Sequence, residues 1–301
     1  MKLFAPNYYK SFSCAANKCR HSCCIGWEIR IDEKTCEKYA SLSGRYSENI
    51  RKSISKEDVS PHFALLKNGR CPHLDKRGLC RIITEYGENF LSDICREHPR
   101  FYNATKRGVE VGIGASCEEA AKFILASDGY NIFLEIGTSE CEDEPPKFDT
   151  LPYREKLFSI LSDESTPYTE RLETVYREFS VSPRNISDED FKSIISSLEY
   201  MNSESKDVFL SYSSLTKPAP EYAPFLKRAL CYFIFRHCTA AVCEEEFKAA
   251  LGFSLFCERL LASAKREAGF AGLCDLFRRI SEELEYSEDN TDVIKQEFLF
   301  L

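Results

Sequence analysis

The spacing of apolar residues changes partway along the chain. Up to about residue 135 they fall in short, irregular groups: Trp27, Ile29 and Ile31 alternate in GWEIRID, and GVEVGIGAS alternates in the same way, so each predicts a strand. Between them, 32–39 and 47–55 read as short helices, and a helical pattern resumes over 118–126. Asn68-Gly69 and Arg77-Gly78 occupy turn positions in LLKNGRCPHLDKRGLC, which predicts a tight loop or hairpin bringing Cys71 and Cys80 to one point. Farther on the period is helical. Leu157, Ile160 and Leu161 recur at three and four, as do Leu172, Val175, Tyr176 and Phe179. Ser187 marks a helix start before the stripe Phe191, Ile194, Ile195 and Leu198. PAPEYAP at 218–224 breaks the series, and four more helices are predicted over 222–243, 246–264, 272–286 and 291–300. TSECEDEPPKFDTLP, 138–152, is acidic with three prolines and is the predicted linker. The pattern therefore predicts a mainly α protein: an irregular, cysteine-rich metal-binding domain with short strands over 1–137, then an all-helical bundle over 153–301.

Composition narrows the function. With 301 residues the chain can bury a substantial core. Its start, MKLFAPNYYKSFSCAANKCR, lacks the apolar run of a secretory leader, which predicts a cytoplasmic location. The most apolar later run, Ala229 to Val242, is broken by Arg236 and His237 and is shorter than the roughly 20 residues a bilayer requires, so no membrane span is expected. A net charge of −8 disfavours a phosphate-backbone binder, and no nucleic-acid partner is expected. An acidic surface suits a basic substrate such as lysine side chains, although it also serves solubility.

The cysteines carry the chemistry. Of the fifteen, four lie in CAANKCRHSCC (Cys14, Cys19, Cys23, Cys24), two in CPHLDKRGLC (Cys71, Cys80), and Cys95 and Cys117 follow. In a reducing compartment, and with an odd count, a disulfide framework is a poor explanation; thiolates select zinc, copper(I) or iron-sulfur clusters. The expected ligands are these eight. Cys14-x4-Cys19 is a loose zinc knuckle. Adjacent Cys23 and Cys24 fit none, because successive side chains of an extended segment point apart, so one of them serves elsewhere. One zinc or one four-iron cluster needs four thiolates, so eight mean either two sites or several structural thiols. Cys19-x3-Cys23 begins the radical S-adenosylmethionine signature, but Gly26 stands where its third cysteine belongs. His21, His73 and His98 are possible substitute ligands, and Arg81, Arg96 and Arg100 possible anion contacts. Cys231, Cys238, Cys243, Cys257 and Cys274 sit at helical spacings among apolar residues, and Cys36 and Cys141 stand alone; all read as core or surface thiols. Gly112-x-Gly114 lacks the rest of a nucleotide loop, and no serine triad, phosphate loop or HExxH segment is present.

Taken in order, YYKSFSCAANKCRHSCCIGWEIRID, CPHLDKRGLCRI, ENFLSDICREHPRF and ASCEEAAKFIL resemble the flagellin lysine N-methylase family, and LKRALCYFIFRHC resembles its aromatic and arginine-rich helix. The first part also resembles a broader CxxCxxCC zinc- or iron-chelating group, from which this chain departs in having gaps of four and three residues. The resemblance implies transfer of methyl groups from S-adenosylmethionine to lysine ε-amines on flagellin, beside a thiolate-bound iron-sulfur cluster, preferably 4Fe-4S, or zinc. The methyl donor rests on the resemblance alone. N-methylation needs only a deprotonated amine in line with a methyl sulfonium, so polar displacement is expected rather than a radical route. Asp93, Tyr102, Glu118 and Glu119 lie beside cysteines that should converge, and are the candidates to take the lysine proton or hold its cation. The alternative is a non-enzymatic metal-binding protein whose helical half docks a partner.

Overall fold

The computed structural model describes residues 1–27, 29–55, 60–139, 144–183, 186–212 and 219–299. Within these the chain is mainly helical, with a few short strands. Two compact units form, and they do not follow the chain in order. A helical unit comprises Met1–Phe12, Phe101–Ser116 and Ala120–Leu301; a cysteine-rich unit comprises Ser13–Arg100 and Cys117–Glu119.

In the helical unit, β1 (Lys2–Pro6), β5 (Arg100–Thr105), β6 (Gly108–Ile113) and β7 (Phe133–Thr138) form one sheet in the order β5-β6-β1-β7. β1 runs parallel to β6, with Leu3 opposite Val109, and antiparallel to β7, with Ala5 opposite Leu134. A parallel pair cannot be closed by a tight turn. Here the connection from β1 to the β5-β6 hairpin carries the cysteine-rich unit as an insertion. Gly108 closes that hairpin at φ +143°, and a Cβ there would stand 2.4 Å from the Lys2 carbonyl oxygen, so only glycine lets β1 approach.

The helices follow: α5 (Glu118–Ala126), α6 (Leu151–Ser162), α7 (Tyr168–Phe179), α8 (Asp188–Ser197), α9 (Ser203–Tyr212), α10 (Ala223–His237), α11 (Glu244–Ala262), α12 (Gly269–Ile280) and α13 (Glu288–Leu299). Ser187 caps α8 as predicted, its hydroxyl accepting from the Asp190 amide. Residues 226–235 of α10 are buried apart from half-buried Arg228, and 249–262 of α11 are buried throughout. Helices apolar on every face belong inside a fold, and these two form its centre. α13 lies directly on α11: a Cβ at Gly252 would fall 2.1 Å from the Phe298 ring.

The predicted boundary at 138–152 does not separate the two units. β1, β5, β6 and β7, expected to belong to a cysteine-rich domain over 1–137, belong with the helices because β7 pairs with β1. Residues 140–143 of that stretch, Cys141 among them, lie outside the described residues, as do 213–218 before Ala219 in the interruption near 218–224.

The cysteine-rich unit has smaller pieces. β2 (Ile29–Arg30), β4 (His62–Phe63) and β3 (Ile54–Ser55) make a sheet in the order β2-β4-β3. Around it lie α1 (Glu33–Ser41), α2 (Ser47–Lys52), α3 (Arg81–Tyr86) and α4 (Asp93–Glu97). Asp32 caps α1 through the Thr35 amide at 2.8 Å. The core is Ile29, Ile31, Tyr39, Tyr46, Ile50, Phe63, Cys71 and Ile82.

Candidate metal centre

Backbone pairing shapes the cysteine loops. The Cys71 amide donates to the Cys24 carbonyl at 2.8 Å and the Gly26 amide to the Gly69 carbonyl at 2.8 Å, so the end of the first cluster lies along the start of the second. Asn68-Gly69 and Arg77-Gly78 turn as predicted, with both glycines at positive φ. The Asp75 carboxylate accepts from the Arg77 and Leu79 amides at 2.8 and 2.9 Å, folding 75–79 into a tight loop, and Leu74 bridges to Cys80. Cys71 is buried in the core, and Cys24, Cys80 and Cys95 pack against it.

The amino-terminal part of the first cluster is tied elsewhere. Glu118, beside Cys117, accepts from the amides of Arg20 and His21 at 2.8 and 3.0 Å. That carboxylate brings the Cys19 loop to the start of α5. The Ala16 amide donates to Cys14 Sγ at 3.3 Å.

Burial, then Cys117, Glu118 and Cys14, push the Cys19 thiol up to about 11. Burial pushes Cys71 up to about 12, with Cys24, Cys80 and Cys95 as its thiol neighbours, and pushes Cys95 up to about 11, with Cys24 and Cys80. The Cys23 thiol donates to Cys24, which raises Cys23 and lowers Cys24; after burial and Cys24, the groups acting on Cys23 are Cys117 and Cys14. Cys14 and Cys117 thus act on Cys19 and Cys23, Cys24 and Cys80 act on Cys71 and Cys95, and the Cys23–Cys24 hydrogen bond joins the two groups. The adjacent pair does not point apart, because Cys23 and Cys24 lie in a turn rather than an extended segment.

Among the described residues no three His, Cys, Asp or Glu side chains are already gathered into a coordination sphere. The sulfurs are soft donors of the kind zinc or an iron-sulfur cluster takes, but as they stand the described side chains do not form a site for one. His73 is not available as a ligand, since its Nδ1 lies 2.9 Å from Tyr46 Oη and its Nε2 2.9 Å from Ser53 Oγ. His98 ends α4, and the His21 amide is held by Glu118. Cys36 donates to the Ile31 carbonyl, and Cys231, Cys238, Cys257 and Cys274 are buried in the helical unit with Cys243 half-buried.

The catalytic candidates are not all in one unit. Asp93, Glu118 and Glu119 belong to the cysteine-rich unit and Tyr102 to the helical unit. Asp93 is exposed and paired with Arg96; Tyr102 is half exposed on β5. Arg96 also meets Glu97, Arg81 pairs with Glu85 at 3.4 Å and stacks 3.9 Å over the Tyr46 ring, and Arg100 donates to the Arg96 carbonyl. These arginines have protein partners.

Sequence reasoning missed the buried polar networks of the helical unit. Glu110, fully buried, accepts from Arg107 at 2.9 Å and from Arg154 Nη2 at 2.8 Å, and Arg154 also reaches Thr239 at 2.9 Å. Glu285 receives Tyr232 Oη at 3.0 Å and lies 2.6 Å from His237 Nε2. The signal was available: charged residues interrupt the buried faces of β6, α6 and α10.

A lysine-N-methylase of Salmonella typhimurium (strain LT2) is 31% identical over 126 residues, 40% of this chain and 31% of the relative's length. The lysine-N-methylase of Salmonella choleraesuis matches with the same figures. A flagellar biosynthetic protein FliU of Salmonella muenchen is 30% identical over 126 residues, 40% of this chain and 75% of that protein. The match thus spans about a third of the length of the two methylases. No family model and no solved structure matches. With three quarters of the FliU protein covered at this identity, the chain belongs to the family of these lysine-N-methylase and FliU proteins, the flagellin lysine N-methylase family that its cysteine motifs resemble.

Proposed function

We propose that the protein transfers methyl groups from S-adenosylmethionine to lysine ε-amines on the surface of flagellin, in the cytoplasm, with thiolate-bound metal in its cysteine-rich unit. The observation that carries this reading is the likeness to proteins named lysine-N-methylase and to a flagellar biosynthetic protein. No helix among the described residues is long and apolar enough to cross a membrane.

In the reaction the amine lone pair forms a nitrogen–carbon bond to the sulfonium methyl, the carbon–sulfur bond breaks with its electrons left on sulfur, and the methylated ammonium loses a proton. A lysine of ordinary pKa, about 10.4, is almost wholly protonated near neutrality, so the protein must take that proton or lower the amine's pKa by desolvation. Glu119 and Asp93, both in the cysteine-rich unit, are carboxylates suited to holding the lysine cation or accepting its proton. Glu118, whose Oε2 already accepts two backbone amides, instead positions the Cys19 loop. A bound metal, 4Fe-4S in preference to zinc, supplies a rigid, electron-rich support for these loops when present.

Incubating the anaerobically purified protein with isotopically labelled S-adenosylmethionine and flagellin, then weighing flagellin lysine peptides, tests the reading. Labelled methyl on lysine supports it. Unmodified flagellin under reducing, oxygen-free conditions overturns it in favour of a metal-binding protein that docks a partner.

A further inference from the structure

We propose that the groove between α6, α7 and α11 binds a small α-amino acid, or a molecule that ends in one, with its ammonium on Glu178, its carboxylate on Lys156 and its apolar or ring-bearing body along an aromatic floor. The site belongs to the helical unit by itself and depends on neither metal nor methyl transfer.

The groove has a volume of about 440 Å³, within the range of small-molecule sites, roughly 300–1,000 Å³. Its floor is aromatic. The ring centroids of Tyr153 on α6 and Phe247 on α11 are 5.2 Å apart, and those of Phe247 and Phe179 on α7 are 6.3 Å apart. Such rings give a flat or apolar body a large contact area. The walls are charged, and the charges come in pairs of opposite sign: Lys156 Nζ lies 2.8 Å from Glu178, and Lys248 Nζ 2.9 Å from Glu244.

A ligand with a single charge would satisfy one member of a pair and strip the other of its partner. A zwitterion satisfies both, because its carboxylate takes Lys156 as its ammonium takes Glu178. The Lys156–Glu178 pair joins α6 to α7 across the groove, and Lys156 Nζ stands 5.5 Å over the Phe179 ring, so an amino-acid group held there has its side chain beside the floor. Glu244 and Lys248 lie four residues apart along α11 and flank the body instead. The Lys156–Glu178 pair is easily opened, since its side chains are 52% and 37% exposed and exposed ion pairs hold weakly. In addition α7 ends at Phe179, and the partial negative charge of a helix carboxyl end favours an ammonium beside Glu178.

Equilibrium dialysis of the full chain against L-phenylalanine and against S-adenosylhomocysteine tests the site. The two probes separate its sources, a free amino acid and the amino-acid end of the methyl donor, of which only the second rests on the methyl-transfer reading. Saturable binding is expected, weakened about tenfold by Glu178→Gln and by Lys156→Gln. Glu135→Gln, which opens the Lys2–Glu135 pair outside the groove, should leave it unchanged. Removing a charge from the ligand should weaken binding like the variants do, in phenethylamine and hydrocinnamate against phenylalanine and in adenosine against S-adenosylhomocysteine. Binding of phenylalanine alone assigns the groove to a free amino acid and leaves methyl transfer to its own assay; binding of S-adenosylhomocysteine assigns it to the donor. No binding of either probe, binding undiminished in the Glu178 and Lys156 variants, or analogues as tight as their parents overturns the proposal.

Discussion

In the helical unit, fourteen consecutive residues of α11, 249–262, are buried, and α10 beside it is nearly as enclosed. In the cysteine-rich unit the longest helix, α1, has nine residues, the three-stranded sheet is made of two-residue strands, and the core cluster is eight residues with a cysteine among them. The first region has enough apolar surface to fold by burial, at about 25 cal/mol for each Å² removed from water. The second must set a much smaller burial against the entropy of ordering some ninety residues of mostly irregular chain, about 1–2 kcal/mol for each backbone residue. The comparison teaches that the cysteine-rich unit has far less apolar burial to set against its ordering than the helical unit has.

The largest expected effect falls on the cysteine-rich unit. Cys71→Ala removes a buried core thiol, and on the proposed metal binding, metal content and stability should fall together, because the binding free energy of structural zinc sites, about 10–16 kcal/mol, is folding free energy. Metal analysis beside circular dichroism checks this; unchanged metal would remove Cys71 from the site. In the helical unit the strongest single break is Glu110→Ala, which leaves the buried Arg154 guanidinium without its carboxylate and should cost about 3–5 kcal/mol in denaturant unfolding, with bound metal unaltered. Loss of metal from that variant would merge the two regions.

A smaller effect depends on pH. Glu258 is buried on α11, and burial raises its carboxyl from 4.5 to about 7, while Tyr168 Oη donates to it at 2.8 Å. Between pH 4.5 and about 7 the folded protein keeps a proton that the unfolded chain releases, so this group's contribution is complete below 4.5 and is lost as the pH rises through 7. Glu258→Gln should therefore flatten the pH dependence of stability and make the protein more stable at pH 8, by on the order of 1–3 kcal/mol. Thermal melts between pH 5 and 8 check it, and an unchanged slope would contradict it. Smallest is Ser187→Ala, which removes the cap of α8 and should cost about 1 kcal/mol in the helical unit alone.

What the sequence revealed follows from the same contrast. Stripes such as Leu172, Val175, Tyr176 and Phe179 are local, and α7 forms where they predict it. β6 was legible from GVEVGIGAS. β1 and β7 were not, because KLFAP and FLEIGT become strands by pairing with residues more than a hundred positions away. α9 was missed since Val208, Phe209 and Leu210 adjoin rather than repeat at helical spacing. The boundary at 138–152 was misleading for a related reason: proline marks a break in the chain, not the edge of a core. In the cysteine-rich unit, the turns at Asn68-Gly69 and Arg77-Gly78 around Cys71 and Cys80 were readable. The geometry of the adjacent pair was not, because Cys23 and Cys24 were judged as an extended pair and stand in a turn. Nor could the sequence show that Tyr46 and Ser53 occupy both ring nitrogens of His73.

The most direct measurement of the contrast is amide hydrogen exchange on the full chain with and without a chelator strong enough to remove thiolate-bound metal. Protection should collapse over 13–100 and 117–119 on metal removal and persist in α10 and α11. Protection that survives the chelator throughout, or that disappears from both units together, would contradict a cysteine-rich unit held by metal beside a helical unit held by burial.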